Sequence, residues 1–149
     1  MELSTIIITK LKELFGIILS EQRISLFIVI QRGDANMWDI VIGGDCLRTK
    51  KNIDSILKII NRIFKKNEII LFSRLILLNL DNSFLNSINQ TFSAEGGSIK
   101  IENTRINKIL IKNAYLFYSK SKKEKENFNF KEVSSNLTAS KNINLNDKY

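Results

Sequence analysis

The sequence contains no histidine and only one cysteine, Cys46. Without histidine the chain cannot build a Ser-His-Asp triad or a Cys-His pair from its own residues, because the commonest general base is missing. A single cysteine cannot form an intrachain disulfide, and without histidine the usual ligands of a zinc site are missing too. The composition therefore favours a non-catalytic protein of a reducing compartment, with neither metal nor cofactor.

Long apolar runs are also missing. The apolar runs at 6–8 and 17–19 are separated by Lys10, Lys12 and Glu13. A membrane-spanning helix needs about 20 predominantly apolar residues in succession, and a signal peptide needs an uninterrupted apolar centre. We therefore expect a soluble cytoplasmic protein that does not contact a membrane.

The net charge is positive but spread along the chain. The sequence has 23 Lys and Arg against 15 Asp and Glu, a formal charge of +8. Such an excess ordinarily favours a polyanionic partner. Lysine, asparagine and isoleucine are common throughout while proline is absent, however, and this composition is typical of AT-rich codon usage. Because no block concentrates the positive charge, charge alone does not identify the partner.

The hydrophobic pattern predicts three helices and five strands. Apolar residues recur at helical spacing over 3–19, and a second helix follows Lys50 with an apolar stripe formed by Ile53, Ile56, Leu57, Ile60, Ile63 and Phe64. A third helix is expected after Asp81 and is predicted to stop at Glu95-Gly-Gly97. Strands are predicted at 24–31, 38–42, 74–80, 98–102 and 109–118.

The resulting order, αββαβαββ, predicts an α+β domain over 1–118. We expect two layers, with three helices on a five-stranded mixed sheet, in which strand–helix–strand crossovers join two antiparallel hairpins and make the middle strands parallel. Residues 119–149 are rich in Ser, Asn and Lys and show no sustained apolar period. We predict a basic tail that is disordered unless bound, with Phe128 and Phe130 as its anchors for a partner.

The segment that follows the second strand has the local build of an anion site. Gly43 and Gly44 lead into a helix start that carries Arg48, Lys50 and Lys51. A helix N-terminus offers unpaired N–H groups and a positive dipole end, which phosphate or carboxylate can bind.

Two observations limit that interpretation. The segment matches the phosphate-binding loop G-x-x-x-x-G-K-[ST] at Gly44 and Lys50, but Thr49 replaces the second glycine and Lys51 the magnesium-binding hydroxyl. Nucleotide hydrolysis is therefore not expected. The alternative to an anion site is a solvated helix start capped by Thr49 or Asp45.

Metal-dependent phosphoryl chemistry needs two or more carboxylates around one ion, and the candidate ligands are Asp34, Asp39, Asp45 and Asp81. Asp39 and Asp45 bracket one strand and would lie about 20 Å apart, too far to share an ion. Asp45 and Asp81 each follow a strand and precede a helix, which would place both at the carboxyl edge of neighbouring parallel strands. Both positions also suit helix caps, and capping is the favoured interpretation.

The aromatic residues near the strands are predicted to pack in the core. Tyr115 and Phe117 lie at alternate positions of the last strand, so we expect core packing and not a base-stacking platform. Trp38 shares a face with Ile40 and Ile42, so we expect it to be buried or to contact a partner subunit.

Two functional hypotheses remain. The favoured one is an accessory or adaptor subunit that binds a protein partner, or a second copy of itself, through its sheet edge, apolar surface or tail. The alternative is a nucleic-acid or phosphoanion-binding module that uses the cationic start of the second helix.

Overall fold

The computed structural model of the chain describes residues 2–31, 33, 37–45 and 47–120. Within these residues the chain forms four helices and five strands. The helices are α1 (Thr5–Glu21), α2 (Lys50–Ile63), α3 (Lys66–Ile69) and α4 (Ser83–Thr91). The strands are β1 (Ile24–Gln31), β2 (Trp38–Gly44), β3 (Phe72–Leu78), β4 (Ala94–Ile106) and β5 (Ile109–Ser119).

The five strands form one mixed sheet in the order β3-β2-β1-β5-β4. The β1–β2 and β4–β5 hairpins are antiparallel and join through the antiparallel pair β1–β5, while β2 and β3 run parallel. The predicted α+β class and the five-stranded mixed sheet are confirmed. Only the crossover through α2, from β2 to β3, joins neighbouring parallel strands. The crossover through α4 leads from β3 at one edge of the sheet to β4 at the other edge. The predicted element order holds, with the one-turn helix α3 added before β3.

Helices lie on both faces of the sheet, so the layering differs from the predicted two layers. α1 and α2 bury Leu11, Leu14 and Ile60 against one face, and α4 buries Phe84 and Leu85 against the other. The physical reason is that β1 and β2 carry apolar side chains on both faces, and every such side chain in the middle of a sheet has to be covered.

The second hairpin begins earlier and turns later than predicted. Gly96 has φ of 96° and lies within β4, where the pairing with β5 shifts register between Glu95 and Ile99. The two glycines therefore form a bulge within the strand and do not end the preceding helix. The hairpin turns at Asn107-Lys108, with φ of 52° and 69°, the positive values that a two-residue type I′ turn needs.

A buried polar network lies at the end of β5, the last strand of the described residues. β5 continues to Ser119, whose buried hydroxyl shares its single proton between Oδ1 of Asn89 at 2.9 Å and the Phe92 carbonyl oxygen at 3.0 Å. Ser25 accepts a bond from the same Asn89 side chain. These buried polar groups satisfy one another, so the network attaches the end of β5 to α4. The predicted tail lies almost wholly outside the described residues and stays a prediction.

Candidate functional site

The predicted anion segment lies at the carboxyl edge of the parallel pair β2–β3. β2 ends at Gly44 and α2 begins at Lys50. Between them the side chain of Leu47 is completely buried and anchors the connecting loop to the core. This arrangement brings the start of α2 beside the end of β3, where ligands of α/β sheets commonly bind.

Thr49 is the N-cap of α2, and Asp45 is not. The Thr49 hydroxyl accepts a 3.1 Å hydrogen bond from the N–H of Asn52. Asp45 has an exposed side chain and lies four residues earlier, and its N–H donates to the carbonyl of Arg23 at 3.2 Å. Of the two predicted caps, the hydroxyl is correct because it follows the loop and directly precedes the first helical residue.

The three predicted cations do not have equivalent surroundings. Lys50 and Lys51 are exposed, whereas Arg48 is half-buried. The first turn of α2 contains no acidic residue, so nothing within that turn offsets its positive charge.

Both predicted glycines are explained by packing. A Cβ on Gly44 would lie 2.3 Å from the carbonyl oxygen of Arg23, and one on Gly43 would lie 2.8 Å from Cδ1 of Leu85. Neither glycine has positive φ. Protein atoms thus occupy the space beside each glycine where a side chain would stand, which gives both positions a structural reason that involves no ligand.

A groove runs between α2 and β3, and we call it the α2–β3 groove. Its volume is about 330 Å³, and it is lined by Arg48, Ile53, Leu57, Leu75 and Leu77. The side chains of Ile53 and Leu57 are 37% and 40% exposed, which is high for residues on the apolar stripe of a helix. The sequence placed both in that buried stripe, but β3 is the edge strand of the sheet, and no further strand of the described residues lies beyond it to cover them.

The outer side of the groove is an edge of the sheet. Within the described part of the chain β3 pairs with β2 alone, and β3 is the first strand in the sheet order. Leu75 and Leu77 lie on the face that carries α1 and α2, while Ile76 and Leu78 belong to the core on the opposite face. The groove therefore has an apolar floor and lies beside a strand edge. Sequence periodicity alone does not reveal that these two features lie side by side.

The predicted partner contacts have different outcomes. Trp38 is completely buried, with its ring centroid 5.6 Å from that of Tyr115, so its side chain is not accessible to a partner. Of the two predicted alternatives for Trp38, burial is the one found. Tyr115 and Phe117 are buried as predicted. Phe128 and Phe130 lie outside the described residues.

Asp39 is held by an ion pair that the sequence analysis missed. Its fully buried carboxylate accepts two bonds from Arg74, from Nε at 3.1 Å and from Nη2 at 2.5 Å. The two residues face each other across the parallel strands β2 and β3. The sequence did contain a signal for this ion pair, because Asp39 is a charged residue within the otherwise apolar run 38–42 and a buried carboxylate requires a partner.

Asp81 is not a helix cap either. α4 is capped by Asn82, whose Oδ1 accepts from the N–H of Leu85 at 2.9 Å. Oδ1 of Asp81 is buried without a hydrogen-bond partner among the described residues. In that part of the chain no three Asp, Glu or Cys residues lie close enough together to hold a metal ion.

Comparison of the chain with protein-family models, with curated proteins and with solved structures found no match. None of the helices in the described residues has the length and apolarity that crossing a membrane requires.

Proposed function

We propose that this chain is a non-catalytic accessory or adaptor subunit that binds a protein partner, or a second copy of itself, at the α2–β3 groove. The single observation that carries the proposal is the exposure of Ile53 and Leu57 above Leu75 at the sheet edge. We also place the protein in the cytoplasm, because the lone Cys46 suits a reducing compartment.

The arrangement of these side chains supports a binding role. Single apolar residues on a surface are normal, whereas adjacent ones that line a concave surface beside a strand edge are typical of partner sites. Burying Ile53 and Leu57 under a partner would remove apolar area from water, and this favours association without specific polar contacts. Association driven in this way depends little on salt.

Affinity purification of the full chain from its native cell tests the proposal. The Ile53→Ser/Leu57→Ser variant should lose the partner that the unaltered chain retains. Leu19→Ser/Ile70→Ser is the matched control, because it removes two apolar side chains that are 39% and 69% exposed and lie outside the groove. Unfolding curves should verify that both variants fold. Retention of the partner by the groove variant, or its equal loss from both, would refute the proposal.

A second candidate function is binding of nucleic acid or a phosphoanion at the start of α2. It is favoured by the exposed Lys50 and Lys51, by Arg48 beside them, and by the lack of any acidic residue in this turn. Phosphate binding should weaken steeply as salt is added, because counterions are released when phosphates are neutralised. Arg48→Ala/Lys50→Ala/Lys51→Ala should then abolish binding to RNA and DNA oligonucleotides, and unchanged binding would eliminate this candidate.

A further inference from the structure

We infer that the occupant of the α2–β3 groove is an extended segment of a partner protein, with alternating large apolar side chains and a carboxylate at one end. This inference rests on the protein-binding function proposed above and specifies the chemistry of the partner. It joins the two features of the surface, the apolar groove and the cationic start of α2, in one binding mode.

The edge position of β3 favours an extended occupant. A strand added beside β3 would lie about 4.8 Å from it, and its alternate side chains would point to the same face as Leu75 and Leu77. On that face they would meet Ile53 and Leu57, whose exposed sides border the groove. Beside the groove, residues 75–78 of β3 would give the segment about 13 Å of strand to pair with.

The charges at one end of the groove favour a carboxylate on the occupant. Arg48 lines the groove itself, and Lys50 lies on the same side of α2 as Ile53 and Leu57, at helical spacings of three and seven residues. The positive end of the helix dipole lies at the same place. Because β2 and β3 are parallel and α2 returns from the end of β2, these charges lie near the Leu77 end of the groove.

The apolar lining of the groove favours a peptide over a nucleotide as its occupant. Four of the five lining residues are Ile or Leu, and Arg48 is the only charged one. A nucleic-acid site of this size would instead present several cations along a groove, with aromatic rings for stacking. One carboxylate among apolar side chains matches one guanidinium and one ammonium group at the rim.

Selection from a displayed library of random 12-residue peptides, with the full chain as bait, tests the inference. We expect enriched peptides to alternate Leu, Ile, Val or Phe with polar residues and to carry Asp or Glu at one end. Arg48→Ala/Lys50→Ala should weaken the best peptide about fivefold and remove the acidic preference. Leu57→Ser should weaken it about tenfold or more. Lys12→Ala/Lys66→Ala, which removes the same charge from exposed positions elsewhere, should change nothing.

Several outcomes would overturn the inference. The cations would not bind a carboxylate if the enriched peptides lacked acidic residues. The same would follow if selection on the Arg48→Ala/Lys50→Ala variant still enriched acidic peptides. Absence of enrichment, helical enriched peptides, or occupation of the groove by residues 121–149 or by a second copy would exclude this mode of binding. The proposed function is refuted by a different result, in which the Ile53→Ser/Leu57→Ser variant still retains the native partner.

Discussion

Replacement of Gly44 by alanine tests the structural explanation of the glycine pair. The new Cβ would lie 2.3 Å from the carbonyl oxygen of Arg23 and 2.9 Å from Cα of Ile24. Both are backbone atoms, so no side-chain rotation relieves the overlap, and β1 and β2 would have to separate by about 1 Å where Ile24 pairs with Gly44. We expect Gly44→Ala to lower the free energy of unfolding by about 3 kcal/mol, the upper end of the range for overpacking.

Urea unfolding monitored by circular dichroism gives the measurement, and two other glycines give the controls. A Cβ on Gly43 would overlap the flexible end of Leu85 and would lie at the ordinary contact distance of 3.4 Å from Cβ of Leu26, so Gly43→Ala should cost about 1 to 2 kcal/mol. A Cβ on Gly97 would meet nothing within 4 Å, so Gly97→Ala should be neutral within about 0.5 kcal/mol. A Gly44→Ala variant as stable as the unaltered chain would refute the close approach of β1 and β2.

Three further variants test other parts of the fold by the same unfolding measurement. Asp39→Ala should lower the free energy of unfolding by about 2 to 3 kcal/mol. Breaking a fully buried ion pair would cost more, but the Arg74 side chain is 29% exposed and can turn to water; a neutral result would contradict the ion pair. Lys108→Gly should stabilise the chain by about 1 kcal/mol, since glycine adopts φ of 69° without strain, and destabilisation would contradict the turn. The hydrogen bond from Lys10 lowers the pKa of Glu68, so the stability that Glu68 contributes is present above its ordinary pKa of 4.5 and is lost as the pH falls through the lowered value. The difference in the free energy of unfolding between Glu68→Gln and the unaltered chain should therefore shrink as the pH falls below about 4.5. A difference that did not change with pH would contradict the hydrogen bond between Lys10 and Glu68.

The element order was predictable because the hydrophobic periods are strong and local. The period of 3.6 residues marked α2, and the apolar run 24–31 marked a strand buried on both faces. The division of helices between two faces was not predictable in the same way. It depends on the pairing of β5 with β1, which joins residues almost 90 positions apart, such as Val29 and Tyr115.

The elements around the candidate site were predictable in part. The strand, loop and helix start around Gly44 and Arg48 were located correctly, since turn residues and a cationic helix start are visible in sequence. The groove was missed, because an amphipathic stripe shows which helix face is apolar but not how far the sheet beneath it extends. Ile53 and Leu57 belong to that stripe, yet at the edge strand β3 they stay 37% and 40% exposed.

We propose that partners bind at the α2–β3 groove, and hydrogen exchange of the full chain with and without its copurified partner shows whether they do. Binding should slow exchange in Phe72–Leu78 and in the first two turns of α2, and it should leave the opposite edge strand, Ala94–Ile106, unchanged. Slowed exchange confined to Ala94–Ile106 or to α1, with the groove unaffected, would show that the partner binds elsewhere.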